Sequence, residues 1–240
     1  MRVSVLGVGV DSVTMAEAAK KVEAFIAAGG PHMVATANAE MVMMAGRDRE
    51  LAGILAAADL VVPDGAGVVW AARRLGCPMP ERVAGFDLVQ VLLARAAAVG
   101  WRVYFFGGAP SVAAKAAAAA QARYPGLIVA GVRHGFFTAA EEEAIAADIR
   151  ASRPHILLAA LGVPKQEKWL AARRDLLAVP VALGVGGTFD VMAGVAARAP
   201  LWMQRAGLEW LYRLGREPRR IRRMMALPRF VLRVLAAKKH

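Results

Sequence analysis

The sequence predicts an α/β protein with a largely parallel sheet and helices on both faces, followed by a basic helical segment. Three observations predict it. Short apolar runs alternate with amphipathic, alanine-rich stretches from residue 1 to about 195, and repeated strand-helix-strand connections favour a parallel sheet covered on both sides. Glycine stands at many of the junctions, as it does where a chain turns out of a strand. The third observation is charge: from Arg198 onward ten Arg and two Lys face Glu209 and Glu217, so this segment holds +10 of the formal net charge of +12 and residues 1–197 hold +2. The chain therefore divides into an α/β core, 1–197, and an Arg-rich helical appendage, 198–240.

Apolar runs place strands near 2–7, 32–36, 59–62, 102–107, 127–132, 155–161 and 180–185. The amphipathic stretches between them place helices near 14–28, 39–46, 48–57, 66–75, 86–98, 110–123, 139–152, 164–175 and 188–194. Ligands of such sheets bind beyond the carboxyl ends of the strands, and the polar clusters of this sequence nearly all follow a predicted strand. In the last segment Ile221, Met224, Met225, Val231, Leu232 and Leu235 recur at roughly helical spacing among many arginines. A helix of that kind can lie on an anionic bilayer, with Pro228 kinking or dividing it.

Composition excludes several classes. Hydrophobic residues make up 58% of the 240, enough for a core, but much of that is alanine. The most apolar windows, 51–72 and 176–197, are interrupted by Asp59, Asp64 and Asp190, so neither reads as a spanning helix. The start, MRVSVLGVGV, has no basic region, long apolar core or cleavage site of a secretory signal, which predicts a cytoplasmic protein. A lone Cys77 rules out an internal disulfide and a cysteine-rich zinc site. The four histidines have no ligand spacing, and no D-x-D motif, Walker loop or nucleophile elbow is present. No metal and no cofactor are expected.

Several strand-end clusters carry polar side chains. Thr36 and Asn38 of T-A-N-A-E either cap the next helix or line a site. Asp64 of V-V-P-D-G is either a turn former or a general base at the mouth of the sheet. Arg82, before a helix, is a surface charge or an anion ligand. In F-F-G-G-A-P, Gly107 and Gly108 would let backbone approach a phosphate at the start of a helix. L-G-V-P-K-Q-E-K-W brings Lys165, Gln166 and Glu167 to one strand-helix junction, more than a cap needs. G-V-G-G-T-F-D, from Gly184 to Asp190, is a structural turn or a place where Asp190 accepts hydrogen bonds from a ribose or a base. G-V-G-V-D-S at 7–12 lacks the third glycine of a dinucleotide fingerprint and is a weak lead.

Taken together and in order, T-A-N-A-E, P-D-G, R-V-x-G-x-D, F-F-G-G, L-G-V-P-K-Q-E-x-W, G-V-G-G-T-F-D-x-x-A-G, R-A-P-x-W-x-x-x-x-G-L-E-W-L-Y-R-L and E-P-R-R strongly resemble the WecG/TagA/CpsF glycosyltransferases, over residues 4 to about 225. The resemblance implies a Rossmann-like core and an inverting, metal-independent transfer of N-acetylmannosamine, its uronic acid or glucuronic acid. The donor would be a UDP-sugar and the acceptor a saccharide on a polyprenyl diphosphate, for teichoic acid or surface polysaccharide. It implies Asp64 as base, with Thr36, Asn38 and Gln166 in the same pocket and Arg82 on the diphosphate. Phe136, Val185, Gly186 and Asp190 would hold the uridine, Phe136 by stacking without the hydroxyl of a tyrosine. The appendage would fold over the site at the inner face of the cytoplasmic membrane, with Arg213, Arg220 and Arg223 completing the diphosphate site; a homo-oligomer stays open.

Two other readings compete. A nucleotide-binding regulatory or nucleic-acid-binding protein would also carry a basic tail, but here the arginines are interleaved with Met, Leu, Ile and Val, which suits lipid better than a groove. Nucleic acid is not an expected partner. A Rossmann oxidoreductase would need the missing glycine and an acidic residue at the usual spacing.

Overall fold

The computed structural model describes residues 1–216, 221 and 225–237, apart from the side chain of Arg213. At the start, β1 (Arg2–Val5) and β2 (Val8–Asp11) pair antiparallel, with Val5 opposite Val8. Leu6 and Gly7 between them have φ of 51° and 87°, the positive values that a tight hairpin turn requires. The expected single strand over 2–7 is thus corrected to a hairpin. Asp11 fastens it to the body of the protein: one carboxylate oxygen meets the Arg2 guanidinium at 3.0 Å and accepts the Val61 N–H at 2.8 Å.

Six parallel strands form the main sheet: β3 (His32–Ala37), β4 (Leu60–Pro63), β5 (Arg102–Gly107), β6 (Ile128–Arg133), β7 (Ile156–Ala160) and β8 (Val181–Gly184), in the order β4-β3-β8-β7-β5-β6. From β3 the chain steps outward to β4, from β5 it steps outward to β6 on the other side, and β7 and β8 then fill the middle. The strand exits diverge there, and parallel sheets open a crevice at such a place. Every residue of β7 is buried, which explains its unbroken apolar run, as expected of a strand covered on both faces.

Alternation along β5 shows the two faces. Val103 and Phe105 point into a core shared with α1 (Met15–Ala28), α5 (Gly85–Val99), α6 (Val112–Arg123) and α10 (Thr188–Met192), where the Phe105 and Phe189 rings lie 5.4 Å apart. Tyr104 and Phe106 point to the opposite face, toward α7 (Glu142–Ala151), α8 (Lys165–Ala172) and α9 (Arg174–Leu177). The hairpin, α2 (Ala39–Ala45), α3 (Arg49–Ala57) and α4 (Ala66–Arg74) build the rest of that side. Helix α6 starts at Val112 rather than at Pro110, because Ser111 takes a left-handed backbone (φ 71°) before it.

After residue 198 come α11 (Leu201–Arg205), α12 (Glu209–Arg216) and α13 (Ala226–Ala236). Helix α13 packs on α2 and α4, and its Phe230 and Val234 are buried in the hairpin-side core. Pro228 lies in its first turn, where a missing N–H leaves no intrahelical bond unmade; residues 222–224 before it lie outside the described residues. Ile221, Met225, Val231, Leu232 and Leu235 are exposed; Met224 lies outside the described residues. No helix among the described residues is long and apolar enough to cross a membrane.

Candidate active site

The exits of β3, β4, β5, β7 and β8 surround one cavity of about 480 Å³, within the range that holds a cofactor or a nucleotide-sized ligand. Thr36, next to the last residue of β3, is buried, its hydroxyl donating to the Gly184 carbonyl at 3.4 Å. Above it sits Gly85, where a Cβ would come within 3.0 Å of the Thr36 methyl. Asn38 caps α2 by accepting the Met41 N–H at 3.0 Å, so its cap role is real, and its amide also lines the cavity.

Asp64 follows β4 directly. Its backbone N–H donates to the Ala37 carbonyl at 2.9 Å, and one carboxylate oxygen accepts the Gly85 N–H at 2.8 Å. Gly85 is the first residue of α5, whose N-terminal partial charge favours an anion. The Gly85 bond helps to fix the carboxylate of a residue that lines the cavity.

Two arginines bring positive charge. Arg82 donates to Glu209 at 3.0 Å and to the Gln204 carbonyl at 3.4 Å. Arg198 makes a bidentate pair with Asp87 at 2.6 and 2.7 Å, approaches Glu209 at 3.8 Å and lies over the Phe86 ring, 4.6 Å from its centre. Burial works against the Arg198 charge, but Asp87, Glu209 and Asp64 outweigh it and raise the pKa. Glu209 therefore sits between two guanidinium groups on the cavity wall.

At the opposite side, Gln166 and Glu167 are 1% and 0% exposed. Gln166 Nε2 donates to Glu167 Oε1 at 2.8 Å, and the Gly186 N–H donates to Gln166 Oε1 at 3.0 Å. Burial pushes the Glu167 carboxyl up to about 7, against the hydrogen bonds from Gln166 and its own backbone. Gly186 (φ 52°) has open space where a Cβ would stand, and Val185, Gly186 and Asp190 all line the cavity, with Phe136 exposed at its rim.

Of the glycines after β5, Gly108 lines the cavity but Gly107 does not. A Cβ on Gly107 (φ 126°) would lie 2.4 Å from the Ala160 carbonyl oxygen, so this glycine permits the close approach of β5 to β7. Thr36, Asn38, Asp64, Arg82, Gln166, Gly108, Phe136, Val185, Gly186 and Asp190 do converge on the one cavity. Arg220 and Arg223 lie outside the described residues, as does the side chain of Arg213.

Sequence reasoning passed over Arg198, Glu209 and Trp210, which also line the cavity. In the sequence Arg198 reads as tail charge, and Glu209 and Trp210 stand within G-L-E-W with no role evident from spacing. Ion pairs between residues 87, 198 and 209 have no spacing to betray them. The signal was the position of these residues inside a motif that resembles the family's.

A parallel α/β sheet with a carboxylate, arginines and glycine-rich strand exits at one crevice is built to hold a charged ligand of nucleotide size. Comparison with known proteins narrows the class. The chain belongs to the glycosyl transferase WecG/TagA/CpsF family, whose profile matches residues 3–240. It is 38% identical over 202 residues, 84% of this chain and 78% of the other, to an N-acetylglucosaminyldiphosphoundecaprenol N-acetyl-beta-D-mannosaminyltransferase of Bacillus spizizenii. Proteins of the same name in Bacillus subtilis and Staphylococcus aureus are 34% and 31% identical, over 87% and 99% of this chain and 80% and 94% of theirs.

Proposed function

We propose that this glycosyltransferase moves N-acetylmannosamine from UDP to the N-acetylglucosamine of a polyprenyl-diphosphate-linked acceptor, in a single inverting step without a metal or other cofactor. The sugar and acceptor are those in the names of the relatives. The observation that carries the mechanism is Asp64, anchored by the Gly85 N–H in a cavity that also holds Arg82 and Arg198. Asp64 takes the proton of the acceptor hydroxyl as that oxygen bonds to the anomeric carbon. The bond from that carbon to the β-phosphate oxygen breaks, and UDP leaves with the electron pair. Positioned positive charge stabilises such a leaving group, supplied here by Arg82, with Arg198 beside it and Arg213, Arg220 and Arg223 as further candidates from the tail.

Thr36, Asn38 and Gln166 supply hydrogen-bonding groups to the sugars, Phe136 stacks on the uracil, and Val185, Gly186 and Asp190 surround the nucleoside. Gly108 gives the diphosphate backbone access. The enzyme works as a peripheral protein on the inner face of the cytoplasmic membrane: Leu201, Trp202 and Leu232 are each about two-thirds exposed, and each Lys or Arg near an anionic surface adds about 1 kcal/mol of attraction. The test is to incubate the protein with UDP-N-acetylmannosamine, UDP-glucuronic acid and the mannosaminuronic donor, each with a short-chain lipid-diphosphate acceptor and EDTA, and to read products by mass spectrometry. Transfer from UDP-N-acetylmannosamine alone is expected. Transfer only from a uronic acid donor would reassign the sugar, and transfer only after magnesium is restored would remove the metal-free step.

A further inference from the structure

A carboxylic acid with no exposed surface, next to the cavity, has no part in the chemistry above. Glu167 sits on α8 beside Gln166, and no hydrogen bond reaches its Oε2 among the described residues. Burying a carboxyl costs free energy unless its partners compensate, so a buried one directly behind a residue of the cavity wall calls for a purpose. Its other oxygen accepts from Gln166 Nε2 at 2.8 Å.

The surrounding atoms fix the Gln166 amide. Its carbonyl oxygen faces the Gly186 N–H, which can only donate, and one N–H faces Glu167 Oε1, which accepts whether the carboxyl is neutral or ionised. Gly184 closes the third side: a Cβ there would stand 2.7 Å from Gln166 Nε2 and 3.1 Å from Glu167 Oε1. With the oxygen and one N–H committed, the amide retains one further N–H to donate, on a side chain that lines the cavity.

We infer that Glu167 is a positioning residue: it locks the Gln166 amide so that Gln166 offers an N–H donor, not an oxygen, to a hydroxyl or phosphate oxygen of the bound UDP-sugar. This rests on the glycosyl-transfer reading for the identity of the substrate, but the lock itself does not. Glu167 thereby joins the L-G-V-P-K-Q-E-K-W junction to the Gly-rich exit of β8, and the glycine at 184 is the space that the lock occupies. Preorganisation of a group in contact with substrate by a partner behind it is a common source of tenfold to hundredfold effects on activity.

The test uses the full chain with Gln166→Leu, Glu167→Leu, the double variant and Glu167→Gln. Each is followed by transfer kinetics and by the side-chain amide resonances of 15N-glutamine-labelled protein, with Gln166→Leu assigning the Gln166 pair. A lock predicts that Glu167→Leu and Gln166→Leu each lower kcat/KM by about 10- to 30-fold. The double variant then falls no further than Gln166→Leu alone, since the two act as one unit. Glu167→Gln, which keeps an acceptor oxygen, retains activity within about threefold and leaves the Gln166 resonances dispersed. Multiplying losses in the double variant, or Glu167→Leu that melts like wild type and keeps full activity, would overturn the proposal. Should Glu167→Leu not fold, Glu167→Gln still decides it: collapse of the Gln166 resonances in a folded Glu167→Gln protein refutes the lock. If no UDP-sugar is turned over but the resonances respond as described, the substrate reading fails and the lock stands.

Discussion

Asparagine at position 64 separates the chemistry of Asp64 from its structural bond. The amide keeps an oxygen to accept the Gly85 N–H now held at 2.8 Å, so the start of α5 is preserved, while the capacity to take a proton is lost. General base catalysis contributes about 10²- to 10⁴-fold. Asp64→Asn is therefore expected to lower kcat by about 10³, or about 4 kcal/mol in the barrier. UDP affinity should change by less than about threefold, because no proton moves on nucleotide binding. Asp64→Ala removes the acceptor as well, and losing a hydrogen bond to a charged group costs about 1.5–3 kcal/mol; this variant should melt lower than Asp64→Asn at similar activity. The assay is single-turnover transfer to a lipid-diphosphate acceptor, with calorimetry for UDP and thermal melts for stability. Retention of a tenth or more of wild-type kcat by Asp64→Asn would refute the assignment of the base.

Glu209→Gln should tighten UDP binding about fivefold in calorimetry, because Arg82 is now paired with Glu209 and an incoming diphosphate must compete for it; about 1 kcal/mol is reasonable for a partly exposed pair. Weaker binding would instead make Glu209 part of the nucleotide site. Glu167 makes stability depend on pH: its folded pKa of about 7 lies above the ordinary 4.5, so the folded state holds the proton longer. Its penalty is absent below about pH 4.5, grows as pH rises and is complete above about pH 7, reaching ~3 kcal/mol at about 1.4 kcal/mol per pKa unit. Glu167→Gln cannot titrate, so the difference between the wild-type and variant stability curves should carry that slope, and parallel curves from pH 4.5 to 7.5 would contradict the buried carboxyl. Phe230→Ala should destabilise the protein by about 3 kcal/mol in urea denaturation, as loss of a buried aromatic side chain does; a change under 1 kcal/mol would mean that α13 adds little to the core.

The parallel sheet was legible because β7 and β8, buried in the middle of it, spell apolar runs, and the cavity because its exits carry Gly, Asp, Asn and Gln where the runs stop. The hairpin was not legible: Leu6 gives no turn signal, and Val3, Val5, Val8 and Val10 continue across it as one apolar stretch. Local sequence does not reveal that Ala160 lies against Gly107 from another strand. The charge of Arg198 was visible, but its partners, Asp87 and Glu209, are chosen by tertiary packing. In α13 the spacing selected Val231, Leu232 and Leu235, which face outward, whereas Phe230 and Val234, one turn apart on the other side, carry the burial.

The boundary at residue 198 separates charge but not function. Arg198 is tied to Asp87 on α5, Glu209 on α12 holds Arg82, and Trp210 and Leu227 form part of the cavity wall. Phe230 packs within reach of Gly67, itself a cavity residue, at 3.7 Å from where a Cβ would stand. Any movement of α12 would thus free or occupy Arg82 at the same moment as it opened or narrowed the cavity. A displacement of α13 would unpack Phe230 and Val234 from the core. A protein cut before Arg198 would therefore lose the Arg198–Asp87 pair, the Arg82–Glu209 pair and the packing of Phe230 together. Its expected failure in transfer would come with a lower melting temperature, whereas an inactive fragment that melts like the full chain would show that the C-terminal segment serves the site and not the core.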